Sequence, residues 1–205
     1  MWIGADPGGK NRFGIAVLYS DGRFESDSCS SFEEAFEFVL SNAGELTPSA
    51  IGIDCPLWWS IEKGGGRGVD RWLRSIPGIH AGTVQSANSL KGAVLVQGLL
   101  LARRMREEFP EIEITETHPK ALLKAFPWFC SFPRGFDLSG PNPSDEHQRD
   151  ALIGAFVARE GSLRRWKNDL AVTAKSNSDV HLGLFGDCHY WWPSDEWLAQ
   201  RSEPL

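Results

Sequence analysis

The sequence predicts an α/β protein built on a mixed five-stranded sheet with helices on both faces. Three observations carry this expectation. The first is an opening run of three short strands joined by turns, and the second is the alternation of strands and helices after it. The third is size and composition. A chain of 205 residues, 41% hydrophobic and 23% charged, suits one domain with a substantial core. The expected domain is 1–205, with its core in about 1–160 and a C-terminal extension in 161–205.

Residues 3–6 are apolar and end at a turn, and 13–19 follow with β-branched and aromatic side chains. Asp21-Gly22 marks a tight hairpin, so 23–29 reads as the third strand of one meander. Ser31 caps a helix that has Glu33 and Glu34 in its first turn. Phe32, Ala35, Phe36, Val39 and Leu40 recur at helical spacing, and the helix is expected to end near Gly44. Residues 50–54 form the fourth strand, stopped by Pro56. A Gly- and Arg-rich loop spans 58 to about 88, and 89–108 reads as a mostly buried helix. Residues 112–116 alternate like a fifth strand, and Pro119 opens a short helix. Pro127, Pro133, Gly135, Gly140 and Pro141 mark 127–143 as loop. Ser144 is the expected cap of the last helix, with Asp145 and Glu146 in its first turn and its end near Glu160. Tyr190-Trp191-Trp192, before Pro193, reads as one last edge strand.

Composition excludes several classes. No apolar run reaches the roughly 18 residues of a membrane span, and the first residues lack a signal peptide's basic and apolar regions. Cys29, Cys55, Cys130 and Cys188 lie far apart with no C-x-x-C pair, which argues against a structural zinc site or a disulfide framework. A cytoplasmic location with no membrane partner is the expectation. The net charge of −6 is unlike that of a protein that coats duplex nucleic acid. A metal-binding carboxylate cluster contributes to that acidity, and bound cations reverse the local sign.

The acidic residues are placed in a telling way. Asp6 ends the first strand, Asp54 the fourth and Glu116 the fifth, and Asp150 lies one turn into the last helix. In open α/β sheets, functional groups gather beyond the carboxyl ends of the strands. An aspartate at a strand end is often only a turn former; three acids in this order, each at an element end, point to a shared site. Carboxylates brought together repel, and Mg²⁺ or Mn²⁺ relieves the repulsion. Two such ions roughly 4 Å apart can activate a water and stabilise the leaving oxygen of a phosphodiester.

Asp6-Pro7-Gly8 after a short strand resembles the opening motif of RuvC-type Holliday-junction resolvases, whose fold is RNase H-like. Glu116-Thr117-His118-Pro119 resembles their fifth strand and the proline that starts the next helix, and His147-Gln148-Arg149-Asp150-Ala151 resembles their H-x-x-D-A motif. Ile53-Asp54-Cys55-Pro56-Leu57, the stretch 67–71 and Glu116-x-His118-Pro119 are more similar still to a family of predicted RNase H-like nucleases, over residues 1 to about 160. The resemblance implies an RNase H-like fold and a Mg²⁺- or Mn²⁺-dependent nuclease, a hydrolase acting on RNA or DNA. It implies metal ligands at Asp6, bridging both ions, at Asp54, where resolvases often have Glu, and at Asp150. His147, three residues before Asp150, shares its helical face and is a candidate to bind metal or contact the scissile phosphate. Glu146 is a rival partner for Asp150. Glu116 is not a usual ligand in resolvases; it is expected to orient Asp54, join the metal site or merely end a strand. Unlike RNase H proper, the chain has no evident catalytic Glu on its first helix.

The stretch 64–74 joins glycines, which let a backbone approach a ligand, to Arg67, Arg71 and Arg74, whose forks suit phosphate oxygens. It is expected to border the metal site, with Arg67 or Arg71 gripping substrate phosphate and Asp70 pairing with Arg74. The alternative is a solvated short helix with an internal ion pair. Lys10, Asn11 and Arg12, next to Asp6, are further candidates for phosphate contact. Two other functions compete. A phosphotransferase of the actin-like or sugar-kinase kind shares such a core, but pairs two domains around ATP, and no Walker-type loop occurs here. A non-catalytic nucleic-acid- or protein-binding module would keep the fold without full metal chemistry.

Overall fold

In the computed structural model, residues 1–64, 66–127, 143–180 and 186–194 are described. Most of residues 127–143, read as loop, and Gly65 of the glycine run therefore lie outside the described residues.

The protein is α/β, with a mixed six-stranded sheet and helices. β1 (Trp2–Asp6), β2 (Phe13–Leu18) and β3 (Phe24–Cys29) form the antiparallel meander. β4 (Ala50–Ile53) runs parallel to β1 on its other side, and β6 (Glu113–Glu116) parallel to β4. Between β4 and β6 lie β5 (Trp59–Ser60), α2 (Gly68–Arg74) and α3 (Gly92–Glu108). The region 58–88 is thus not all loop, and α3 starts three residues later than expected: Ser89 is spent on a turn, its hydroxyl donating to the Ser86 carbonyl at 3.1 Å.

α1 (Phe32–Ala43) is capped by Ser31, whose hydroxyl accepts from the Glu34 amide at 3.3 Å, and stops at Gly44 with φ 55°. It buries Ala35, Phe36 and Val39 in one cluster with Ile3, Ala5, Ile15 and Val17 on one sheet face. After α4 (Pro119–Ala125), the long α5 (Glu146–Ser162) crosses the opposite face, where Ala151, Leu152, Ala155 and Ala158 meet Trp2, Ala16, Leu18 and Ala50. The approach is close enough to require glycine. A Cβ at Gly4 would collide with the Ala151 carbonyl, and one at Gly14 with the His147 carbonyl. The cap of α5 is Asp145 rather than Ser144, its carboxylate accepting from the Gln148 amide at 2.9 Å and from the Ser28 hydroxyl at 2.6 Å. That tie to β3 fixes the helix start against the meander.

The sheet has one strand more than expected, and the aromatic run near the end is not its edge. β9 (Cys188–His189) adds parallel to β6, while β10 (Trp191–Trp192) pairs antiparallel with β7 (Asn168–Asp169). Around these, α6 (Leu170–Thr173) follows β7, and β8 (Asp179–Val180) pairs with β5. Trp191 and Trp192 leave the sheet because burial claims them: Trp192 packs edge-on to Trp72 at 5.7 Å, and both tryptophans join the main core with Trp166 and Leu170. This segment covers the outer side of α5, where Phe156 meets Trp166 at 6.0 Å. Among the described residues, no helix is long and apolar enough to cross a membrane.

Candidate active site

β1 and β4 are parallel neighbours, with Ala5 opposite Ile53 and the Asp54 amide donating to the Ala5 carbonyl at 2.8 Å. Asp6 and Asp54 therefore leave the sheet side by side at its carboxyl edge. Strand alternation sets their face: Ile3 and Ala5 point to α1, so Gly4 and Asp6 point to α5. Asp54 follows Gly52 onto the same side, and α5 lays His147 and Asp150 over it. His147 Nδ1 lies 2.7 Å from Asp6 Oδ2. Asp150 is fully buried; its Oδ1 accepts from Arg149 at 2.7 Å, and its Oδ2 has no hydrogen-bond partner.

Burial raises all three carboxyls, and neighbouring aspartate charges add to the rise at two of them. Burial pushes Asp6 up to about 6, with the Asp150 charge adding to the rise and the His147 hydrogen bond opposing it. Burial raises Asp54 well above the carboxylate range, with Asp6 and Asp150 contributing next. Burial also raises Asp150, against the pull of Arg149 and Lys120. The Lys120 ammonium, in the first turn of α4, lies 3.8 Å from Asp150 Oδ2 and 3.8 Å from Glu146 Oε1. A cavity of about 220 Å³ opens over the group, lined among others by Asp6, Asp54, Thr83, Gln85, His118 and Lys120. Burial lowers His118 to about 4, so it is uncharged at neutral pH, and its Nδ1 is 2.9 Å from the Tyr190 hydroxyl. The aspartates offer hard oxygen donors of the kind that hold Mg²⁺ or Mn²⁺. Among the described residues, however, no three His, Cys, Asp or Glu side chains stand ready as a metal-ligand group. No protein-family model matches this chain, and no curated protein or solved structure matches it.

Glu116 does not join the aspartates. It pairs in register with Ile53, not Asp54, and so faces the other side of the sheet. There it is fully buried and held by Arg67 through two hydrogen bonds of 2.6 Å, with the Leu57 amide donating at 2.9 Å. Arg67 in turn does not reach for substrate. It is fully buried, and all five of its guanidinium donors are spent: on both oxygens of Asp70, both of Glu116 and the Trp58 carbonyl. Its charge lies 4.6 Å from the Trp58 ring centre. Asp70 pairs with Arg67 rather than with Arg74, whose guanidinium donates to the Val84 carbonyl at 2.7 and 3.1 Å. Arg71 remains half-exposed, bound to Glu62 at 2.8 Å and to the Gly66 carbonyl at 2.6 Å. Lys10 is exposed in the β1–β2 turn. Among the described residues, the stretch 64–74 does not line the cavity over the carboxylates; Gly82, Thr83 and Gln85, further along the same connection, do.

Lys120 and His118 line the site although the sequence patterns assign neither a site role, His118 standing only within the Glu116-x-His118-Pro119 motif. A signal was available for Lys120. A cation at a helix N-terminus opposes the helix dipole, so its presence there asks for a negative partner. The helix it starts follows β6 at the edge where Asp6 and Asp54 end.

Proposed function

We propose that the protein is a divalent-metal-dependent nuclease with an RNase H-like fold, hydrolysing phosphodiester bonds in RNA or DNA. The observation that carries the reading is the buried aspartate group: Asp6, Asp54 and Asp150 gather at one sheet edge, burial raises the pKa of all three, the Asp150 charge adds to the rise at Asp6 and the Asp6 and Asp150 charges at Asp54, and Asp150 Oδ2 is left without a hydrogen bond. Burying mutually repelling acids without full pairing is costly unless a cation is meant to join them. The sheet order β3-β2-β1-β4-β6, an antiparallel meander leading into parallel strands, supports the RNase H-like reading and the kinship with RuvC-type nuclease domains.

In this reading Asp6, Asp54 and Asp150 would hold Mg²⁺ or Mn²⁺, which would supply activation of a water and charge to offset that of the phosphate. His147 donates to Asp6 and fixes the orientation of its carboxylate. Lys120 faces the same cavity with a positive charge for the phosphate. Neutral His118 and the apolar wall of Leu90 and Val94 restrict bulk water. Arg71 and Lys10, both exposed, are the remaining basic candidates for the flanking phosphates. The Arg67–Glu116 pair acts beneath the site: it ties the chain after Asp54 to β6 and so fixes where Asp54 emerges.

A second reading, a binding module without metal chemistry, is favoured by the lack of a ready three-donor group among the described residues. Calorimetric titration with Mn²⁺ separates the two. The nuclease reading expects saturable binding that Asp6→Asn abolishes while the fold survives; no binding by the wild type favours the module.

A further inference from the structure

We infer that Lys120 is a built-in second cation of the aspartate site, so that the site takes one divalent ion rather than two. The inference rests on the nuclease reading and sharpens it. Three observations carry it.

The first is position. Lys120 lines the same cavity as Asp6 and Asp54, and its ammonium lies 3.8 Å from the Asp150 oxygen that has no hydrogen bond. Asp150 is fully buried, so that oxygen is shielded from solvent. The second is the distance itself. At 3.8 Å the ammonium is too far for a direct N–H···O bond, which spans about 2.7–3.2 Å, yet close enough for strong attraction. The ammonium is held near the carboxylates by charge, and its three donors stay available to a phosphate oxygen. The third is charge balance. Asp6, Asp54, Asp150 and Glu146 carry four negative charges, Lys120 and Arg149 return two positive ones, and one divalent ion neutralises the rest. A second divalent ion would have to settle against the ammonium, and that repulsion disfavours it.

The chemistry needs no further reactant than water. The water oxygen bonds to phosphorus as the bond from phosphorus to the leaving oxygen breaks. The electron pair stays on the leaving oxygen, which takes up a proton, and the water gives one up. The Lys120 ammonium stabilises the negative charge on the phosphoryl oxygens during that exchange, where a two-ion enzyme would place its other ion. The other partner of Lys120, Glu146, has a half-exposed side chain and steers the lysine from the solvent side.

The test counts Mn²⁺ bound per chain, by electron paramagnetic resonance against free Mn²⁺, in the full-length wild type, Lys120→Met and Lys120→Arg. Lys120 is half-exposed, so neither change disturbs the core; circular dichroism checks the fold. The expected result is one ion in the wild type and in Lys120→Arg. Lys120→Met should bind a second ion, or hold the first about ten-fold or more tightly, since a neighbouring positive charge is gone. Nucleic-acid cleavage by Lys120→Met should fall at least about ten-fold at an Mn²⁺ concentration that saturates the wild type, on the scale of losing one electrostatic contact. Two ions in the wild type, or the same number at the same affinity in Lys120→Met, overturns the role of Lys120 and leaves the metal site standing. No ion bound to the wild type overturns the metal reading and this inference with it.

Discussion

Replacing Asp6 by asparagine should make the metal-free protein more stable at neutral pH, although it removes the centre of the site. In the fold, burial and the charge of Asp150 raise the Asp6 carboxyl from 3.8 to about 6. At about 1.36 kcal/mol per pH unit, holding this group ionised at pH 7.5 costs about 3 kcal/mol. The folded state keeps the Asp6 proton where the unfolded chain has already lost it. The stability contributed by that proton is therefore complete below about pH 4 and is lost as pH rises through about 6. Asparagine fills the same space, still accepts from His147 and carries no charge, so a gain of about 1–3 kcal/mol is expected at pH 7.5. For a chain of this size that is about 3–10 °C in melting temperature. The assay is thermal unfolding in chelator at pH 4 and pH 7.5. Wild type should lose stability between the two relative to Asp6→Asn, and added Mn²⁺ should restore it to the wild type alone. An Asp6→Asn protein that melts below the wild type at pH 7.5, with the same pH dependence, would refute the account of a strained carboxylate group.

The same geometry has other consequences. Arg67→Ala should cost about 3–5 kcal/mol in denaturant unfolding, because it strands two buried carboxylates, whereas Arg71→Ala should change stability by less than about 0.5 kcal/mol. Equal effects of the two would contradict the buried-pin role of Arg67. Gly4→Ala should cost about 1–3 kcal/mol, since its Cβ meets the Ala151 carbonyl and pushes α5 off the sheet. The same variant should weaken Mn²⁺ binding by moving Asp150 away from Asp6; unchanged affinity would show that α5 does not set the site. Arg71→Ala should weaken nucleic-acid binding more at low salt than at high salt, with Mn²⁺ affinity unaltered.

Much of this was legible in the sequence because it is local. The three-strand meander announces itself through Asp21-Gly22, and α1 through the Ser31 cap and its apolar spacing. The common edge of Asp6 and Asp54 follows from their strand-end positions once β1 and β4 are neighbours. What stayed hidden depends on register and on distant partners. Glu116 ends its strand as Asp54 ends another, but a one-residue offset in pairing turns it to the opposite face. Arg67, in a glycine-rich stretch, has every mark of an exposed phosphate binder; its burial depends on Glu116, 49 positions away. β9 is two residues long, too short for any periodicity to show. The tryptophans beside it have the β-propensity of a strand, but their bulk is used to seal α5.

The most direct test of the central claim is a cleavage panel over single-stranded, duplex, hybrid and branched nucleic acids, with Mg²⁺, Mn²⁺ or chelator, for the wild type, Asp54→Asn and Asp150→Asn. The wild type should cut at least one substrate, and only when a divalent ion is present. Each asparagine variant, folded by circular dichroism, should lose at least about a hundred-fold in rate, the scale of removing a ligand or a major electrostatic contact from a catalytic centre. Cleavage that persists in chelator, or that survives both substitutions undiminished, would contradict the metal-dependent mechanism.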